Sequence, residues 1–348
     1  MTGELSASGR RPLREVTLRT DRRRVLTTFG GAAVALGLRQ GRAAAQTPGL
    51  RIGILKFGSV AWQLDVIRRH GMDRAEALEI EIVELASNQA TLVALQAGRV
   101  DVVVSDLLWV ARQRAEGADW SFVPYSSALG AVMVPAQSAI DSLEALQGHH
   151  LGIAGGPLDK SWLLLRLLSR RRGGADLDTI VDKAFGAPPL LSEQMAQGQL
   201  DAVLTYWQFA AKLEAGGARR LLGMDEVMAE LGIKEPVPLV GYVLSEGWAA
   251  KNTAAVAGFF RAARRADDIL ASSDAEWQII APLTGAADAA ELGRLRDAYR
   301  RGIPGKAGAE QRPAAEHLFA LFAEIGGEPL VGPRPTLPPG TFLDGIQS

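Results

Sequence analysis

The chain has 348 residues, 47% of them hydrophobic and 22% charged, with a formal net charge of −1, which is enough apolar material for two ordinary domains and excludes a disordered chain. Nine arginines in the first 45 residues stand against only Glu4, Glu15 and Asp21, so the remainder is acidic and a general fit to nucleic acid is excluded. Cysteine is absent, and the four histidines, His70, His149, His150 and His317, have no metal-binding helical spacing; thiolate nucleophiles, cysteine-zinc sites, disulfides and a lipid-bearing cysteine are excluded, and no catalytic residue, metal or cofactor is expected.

In chain order, the first feature is an export address. Asp21-Arg22-Arg23-Arg24-Val25-Leu26-Thr27 sets paired arginines before an apolar stretch, Val25 to Leu38, followed by Ala43-Ala44-Ala45. Basic region, apolar region and small-residue cleavage site make residues 1–45 a signal and Gln46 the expected first residue of the exported form. Roughly 14 apolar-biased residues are too few for the ~20 of a spanning helix, so no stable membrane anchor is expected. The arginine pair resembles a twin-arginine signal, although Asp21 and Thr27 depart from its pattern; a general secretory signal is the alternative. Either route leads to the periplasm.

Strands and helices then alternate. Leu50 to Phe57 reads as a strand, Ala61 to His70 as a helix, Glu79 to Leu85 as a strand, and Ala90 to Ala97 as a helix stopped by Gly98. Val100 to Ser105 is a nearly continuous valine run, the pattern of a strand buried on both faces of a parallel sheet. Asp141 and Glu144 read as a capping pair, with Gly148 ending that short helix. A second round follows: strand Leu151 to Ala154, helices Leu158 to Arg172 and Leu190 to Gln197, strand Leu200 to Tyr206. Helices over Trp248 to Ala271, Ala289 to Arg301 and Ala314 to Ile325 read as core-packed, and the proline-rich Pro329 to Pro339 as extended chain on the surface.

The two rounds match. Leu95-Gln96-Ala97-Gly98-Arg99-Val100-Asp101-Val102-Val103-Val104-Ser105 parallels Met195-Ala196-Gln197-Gly198-Gln199-Leu200-Asp201-Ala202-Val203-Leu204-Thr205 at an offset of 100 residues. Each predicts a helix ended by glycine, a turn carrying an aspartate, and a buried strand ending in a hydroxyl. Two similar α/β lobes are expected, with ligand outside the carboxyl ends of the strands.

Together these features resemble the ABC-transporter solute-binding proteins of the nitrate, sulfonate, taurine and thiamine-precursor (SsuA/THI5-like, NMT1-like) group. The resemblance covers about residues 50 to 270 and rests on Arg51-Ile52-Gly53-Ile54, Ala94-Leu95-Gln96-Ala97-Gly98-x-x-Asp101, Asp141-Ser142-Leu143-x-x-Leu146-x-Gly148 and Gly241-Tyr242-x-x-x-x-x-Trp248. It implies a two-lobed periplasmic-binding-protein fold of type II kind, each lobe a mostly parallel sheet flanked by helices, with the cleft between. It also implies crossings near Val134 to Ile140 and Pro236 to Leu239, hence lobe one over 50–135 plus 240–325, lobe two over 140–236, and a tail over 326–348.

The candidate ligand contacts are loop and strand-end residues. Lys56, Gly58, Ser59 and Trp62 link the first strand to its helix, whose free N–H groups suit an anionic or carbonyl oxygen; Lys56 is either a contact or a solvated strand-end lysine. Asn88 either caps a helix or offers its amide. Ser105, Asp106, Thr205 and Tyr206 mark the cleft walls. Gly155 and Gly156 allow close approach before Pro157. Trp62, Trp109, Trp162, Trp207, Tyr125 and Tyr206 are the aromatics at helix starts and strand ends that suit the walls of a closing cleft, Trp62 and Tyr206 being favoured over Trp109 and Trp162, which read as core; Tyr242 of the Gly241-Tyr242 motif completes the set. Asp159 reads as a first-turn residue complementing a helix dipole.

The resemblance implies a monomeric, non-enzymatic receptor that closes on a small organic solute, such as a sulfonate, a carboxylate or a thiamine-precursor-like heterocycle. Its partners would be an inner-membrane permease and the cytoplasmic ATPase. A periplasmic sensor or accessory protein using the same cleft is the alternative. The pyrimidine synthases sharing this fold use a cysteine-rich segment that this chain lacks.

Overall fold

A computed structural model describes residues 49–305 and 311–343, so the signal segment and the cleavage site before Gln46 lie outside the described residues. The first elements are β1 (Gly49–Leu55), α1 (Val60–Arg69), α2 (Met72–Ala75), β2 (Glu79–Leu85), α3 (Asn88–Gln96), β3 (Val102–Asp106), α4 (Leu107–Ala115) and β4 (Trp120–Ser126). Then come β5 (Ala131–Val134), β6 (His150–Ala154), α5 (Lys160–Arg171), α6 (Leu177–Ile180), β7 (Asp182–Gly186), α7 (Pro188–Ala196), β8 (Ala202–Thr205), α8 (Trp207–Ala215), β9 (Arg219–Gly223) and α9 (Met224–Glu230). The chain finishes with β10 (Val240–Ser245), α10 (Glu246–Lys251), α11 (Thr253–Ser272), α12 (Asp274–Thr284), α13 (Ala289–Gly302) and α14 (Arg312–Val331).

The strands form two five-stranded sheets of one topology, β2-β1-β3-β10-β4 and β7-β6-β8-β5-β9. In each, three strands run parallel and the fourth, β10 or β5, runs antiparallel to both neighbours. All four residues of β5 are fully buried, as are Val102 and Val103 of β3, because helices cover both faces. β2 forms an edge and carries Glu79, Glu81 and Glu84, charges that discourage further strand pairing.

The repeated segments have one geometry. Gly98 and Gly198 take φ of 65° and 72°, the left-handed conformation that ends each helix. Asp101 Oδ2 then accepts from Arg51 N at 2.9 Å, and Asp201 Oδ2 from His150 N at 2.8 Å. In each sheet the turn aspartate thus ties the start of the third strand to the start of the first.

Four readings need correction. β5 pairs with β8 and β9, so the chain passes to the second sheet between Ser126 and Ala131, ahead of 134–140, and 131–134 does not belong with the first sheet. The short helix before Gly148 is a 3-10 turn over Glu144–Leu146, where Ser142 Oγ, not Asp141, accepts from Ala145 N at 3.2 Å. The helix over 248–271 is broken at Asn252. Finally, α14 continues past 325 to Val331, with a non-helical Gly327 at φ 59°.

α14 packs against both α4 and α5, and Arg171 of α5 pairs with its Glu324, so this helix spans the two sheets instead of covering one. The chain after it is tied down. Phe122 N donates to Thr341 O at 2.7 Å, Ser121 Oγ to Gly340 O at 2.8 Å and Arg114 Nε to Pro339 O at 2.7 Å, while Phe342 packs edge-on against Phe122. The free backbone edge of β4 explains this, since β10 occupies only its other side.

Candidate functional site

The carboxyl ends of β1, β3, β6 and β8 converge on two adjoining chambers, an inner one of about 150 Å³ and an outer one of about 500 Å³. Leu55, Asn88, Asp106, Asp159, Lys160 and Tyr206 line both and form the partition between them.

Capping decides which side chains face the chambers. Ser87 Oγ accepts from Ala90 N at 3.2 Å and caps α3, which leaves the Asn88 amide for the cleft, beside the Tyr206 hydroxyl. Asp106 caps α4 through Trp109 N at 2.8 Å. Asp159 caps α5 through Ser161 N at 2.9 Å and Trp162 N at 3.2 Å. α1 and α8 have no side-chain cap; Ser59 at the start of α1 instead shares a hydrogen bond of 3.0 Å with Tyr125 Oη.

The partition carries the charge. Lys160 Nζ of α5 lies 3.3 Å from Asp106 Oδ2 of β3, an ion pair joining elements of the two sheets. Burial works against the Lys160 ammonium, but Asp106 and Asp159 outweigh it and hold the pKa above the usual lysine value. Burial pushes the Asp159 carboxyl up, with Lys160 and the α5 backbone opposing. Burial likewise raises the Tyr125 and Tyr206 hydroxyls, so both remain neutral donors.

Of the residues singled out from sequence, Gly58, Ser59, Asn88, Ser105, Asp106, Tyr125 and Tyr206 line the inner chamber, and Gly155 and Gly156 the outer one. At Gly155, with φ of 95°, an added Cβ would lie 3.0 Å from Tyr206 Oη and 3.3 Å from Asp159 Oδ2; at Gly156 it would meet open space. Four others line neither chamber. Lys56 is exposed on the turn after β1. Trp62 is buried, donates to Leu283 O at 3.2 Å and stands edge-on to Trp207. Tyr242 is buried and donates to Gln63 Oε1. Thr205 is buried, and its hydroxyl has no partner among the described residues.

Of the expected aromatic walls, Trp207 lines the inner chamber where the favoured Trp62 does not; Trp162 is core as expected, but Trp109, read as core, lines the outer chamber. Sequence reading missed Lys160, Gln208 and Arg112. Lys160 and Gln208 stand in the first turns of helices that follow named strand ends, the signal that could have found them. Arg112 is one turn along α4 from Trp109. Among the described residues no group of three or more acidic, histidine or cysteine side chains could hold a metal ion.

Comparison with known proteins bears on this architecture. The family model described as NMT1/THI5-like matches residues 69–276. The alkanesulfonate-binding protein SsuA of Xanthomonas axonopodis pv. citri, solved with bound MOPS, is 21% identical, with a TM-score of 0.66 over 84% of this chain and 97% of its own. The periplasmic aliphatic sulphonate-binding protein SsuA of Escherichia coli is 22% identical, with a TM-score of 0.63 over 83% and 95%. The zinc-bound ligand-binding component of a Staphylococcus aureus ABC-type import system is 13% identical, with a TM-score of 0.64 over 86% and 100%. No curated protein gives a significant sequence match. At these identities the likeness is one of fold: two α/β lobes with a cleft between.

Proposed function

Because this chain belongs to the NMT1/THI5-like family, we propose that it is the periplasmic solute-binding component of an ABC importer, a two-lobed receptor that closes on a small organic molecule. The observation that carries this is the cavity between the two sheets. It is walled by strand carboxyl ends of both and crossed by the Asp106–Lys160 pair. We assign contact with the solute to Ser59, Asn88, Ser105, Asp106, Tyr125 and Tyr206, with Gly155 and Gly156 admitting it closely, and no role in chemistry to any residue. The arginine pair near the amino terminus supports export by the twin-arginine route, and a permease with its ATPase would read the closed form. No helix of the described residues is long and apolar enough to cross a membrane.

A thermal-shift screen of the chain from Gln46 onward tests the reading, with sulfonates, carboxylates and thiamine-precursor heterocycles as probes. A bound solute stabilises the folded state by ~2.7 kcal/mol at a hundredfold excess over Kd. Turnover of a bound compound, or silence across all classes, would count against a transport receptor.

A further inference from the structure

We propose that the solute is bipartite, with an uncharged, ring-sized end in the inner chamber and an anionic group, a sulfonate or carboxylate, held in the outer chamber by Arg112. This rests on the solute-receptor reading and narrows its ligand.

The charges of the two chambers differ. Arginines packed against the rest of this protein commonly meet carboxylates: Arg166 Nε and Nη2 reach Asp176 at 2.8 Å each, Arg51 reaches Asp101 at 2.7 Å, and Arg114 reaches Glu246 at 3.2 Å. Arg112 departs from this. It lines the outer chamber, its Nε is shielded from solvent with no acceptor, and among the described residues its guanidinium has no carboxylate partner. A planar cation with a shielded, unpartnered Nε and no carboxylate across from it among the described residues, at the wall of a cavity of about 500 Å³, is suited to a carboxylate or sulfonate, whose oxygens can accept from its terminal N–H groups.

The inner chamber offers no such cation. Lys160 is engaged by Asp106 and lies beside Asp159, and the remaining polar side chains of its lining are neutral, Ser59, Ser105, Tyr125, Tyr206, Asn88 and Gln208 among them. An anion placed there would face two carboxyl groups across the partition without an uncommitted counter-charge. Away from the partition, a neutral group meets hydroxyls, amides, aliphatic side chains such as Val60, Val104 and Leu129, and the Trp207 ring. The size agrees, since a cavity of roughly 150 Å³ accepts a benzene ring. The guest would then pass the partition, ring inward, with its acid outward on Arg112.

The test uses two matched probe series, ω-phenylalkanesulfonates with zero to four methylenes and the corresponding uncharged sulfonamides. Binding is read from tryptophan fluorescence, since Trp207 and Trp109 line the inner and outer chambers. In the unmodified protein at least one sulfonate should bind tenfold or more tightly than its sulfonamide. Arg112→Gln should abolish that preference while sulfonamide affinity stays within about twofold, and Arg112→Lys should restore part of it. A sulfonate preference that survives Arg112→Gln, or none in the unmodified protein, would overturn the proposal and leave the receptor reading standing. No binding of either series would likewise overturn the proposal, while the receptor reading falls only if the wider thermal-shift screen is silent as well.

Discussion

Asp267, on α11, is a carboxyl that the lobe-one core holds against its usual chemistry. Burial raises its pKa to about 6, against the opposing hydrogen bonds of Gln63 and Tyr299; Asp268 adds to the rise and Arg264 opposes it. Tyr299 Oη donates to Oδ1 at 2.9 Å, a bond that an asparagine oxygen can also accept. Because the folded pKa lies above the ordinary value of 3.8, the folded state binds the proton more tightly. The stability this contributes is full below about pH 4 and lost as pH rises through about 6. A difference of about 2 pKa units corresponds to about 3 kcal/mol. Asp267→Asn removes the titration and keeps the acceptor, so its stability relative to the unmodified protein should rise by about 2 kcal/mol between pH 4.5 and pH 8, the rest of the effect lying below pH 4.5. Urea denaturation of both proteins at pH 4.5, 6 and 8 measures this, and the quantity of interest is the change in their difference with pH. A difference constant across that range, or a variant that loses ground at pH 8, would refute the assignment of a raised pKa to this carboxyl.

Other consequences follow from contacts between the lobes and at the carboxyl terminus. Lys160→Met leaves Asp106 and Asp159 facing each other without the ammonium and should shift the solute-free protein toward the open form, seen as a larger radius of gyration in small-angle scattering. Gly130→Ala would drive its Cβ into Thr205 O at the first crossing, so backbone must move, and a loss of more than about 3 kcal/mol is expected in thermal melts. Truncation after Thr336 removes the bonds that Phe122, Ser121 and Arg114 make to Thr341, Gly340 and Pro339 and uncovers the Phe122 ring; it should cost about 2–4 kcal/mol by urea denaturation.

The elements legible in sequence are those whose pattern is local. Glu79 to Leu85 alternates acidic and apolar residues because β2 is an exposed edge, and the valines of β3 run together because helices cover both faces. The hundred-residue repeat was legible for the same reason: a glycine at positive φ and an aspartate bonding the neighbouring strand are written within eleven residues. β5, with four apolar residues and no alternation, could not be assigned to a sheet, because its partners Ala202 to Thr205 and Arg219 to Gly223 lie far along the chain.

Nine of the thirteen candidate contacts reach a chamber, since strand ends and helix starts in an α/β sheet share one rim. Trp62 and Tyr242 turn away because Leu283 and Gln63 offer hydrogen bonds inside lobe one, partners more than 170 residues distant in each case. Sequence alone determined the alternation of strands and helices, the duplicated turn and the rim on which a ligand site would stand, all consequences of local backbone preference and apolar period. Tertiary structure decided which strand is exchanged between sheets, that Lys160 meets Asp106, and that Arg112 meets no carboxylate among the described residues. Those outcomes depend on which distant surfaces pack together, and no local preference of the chain encodes them.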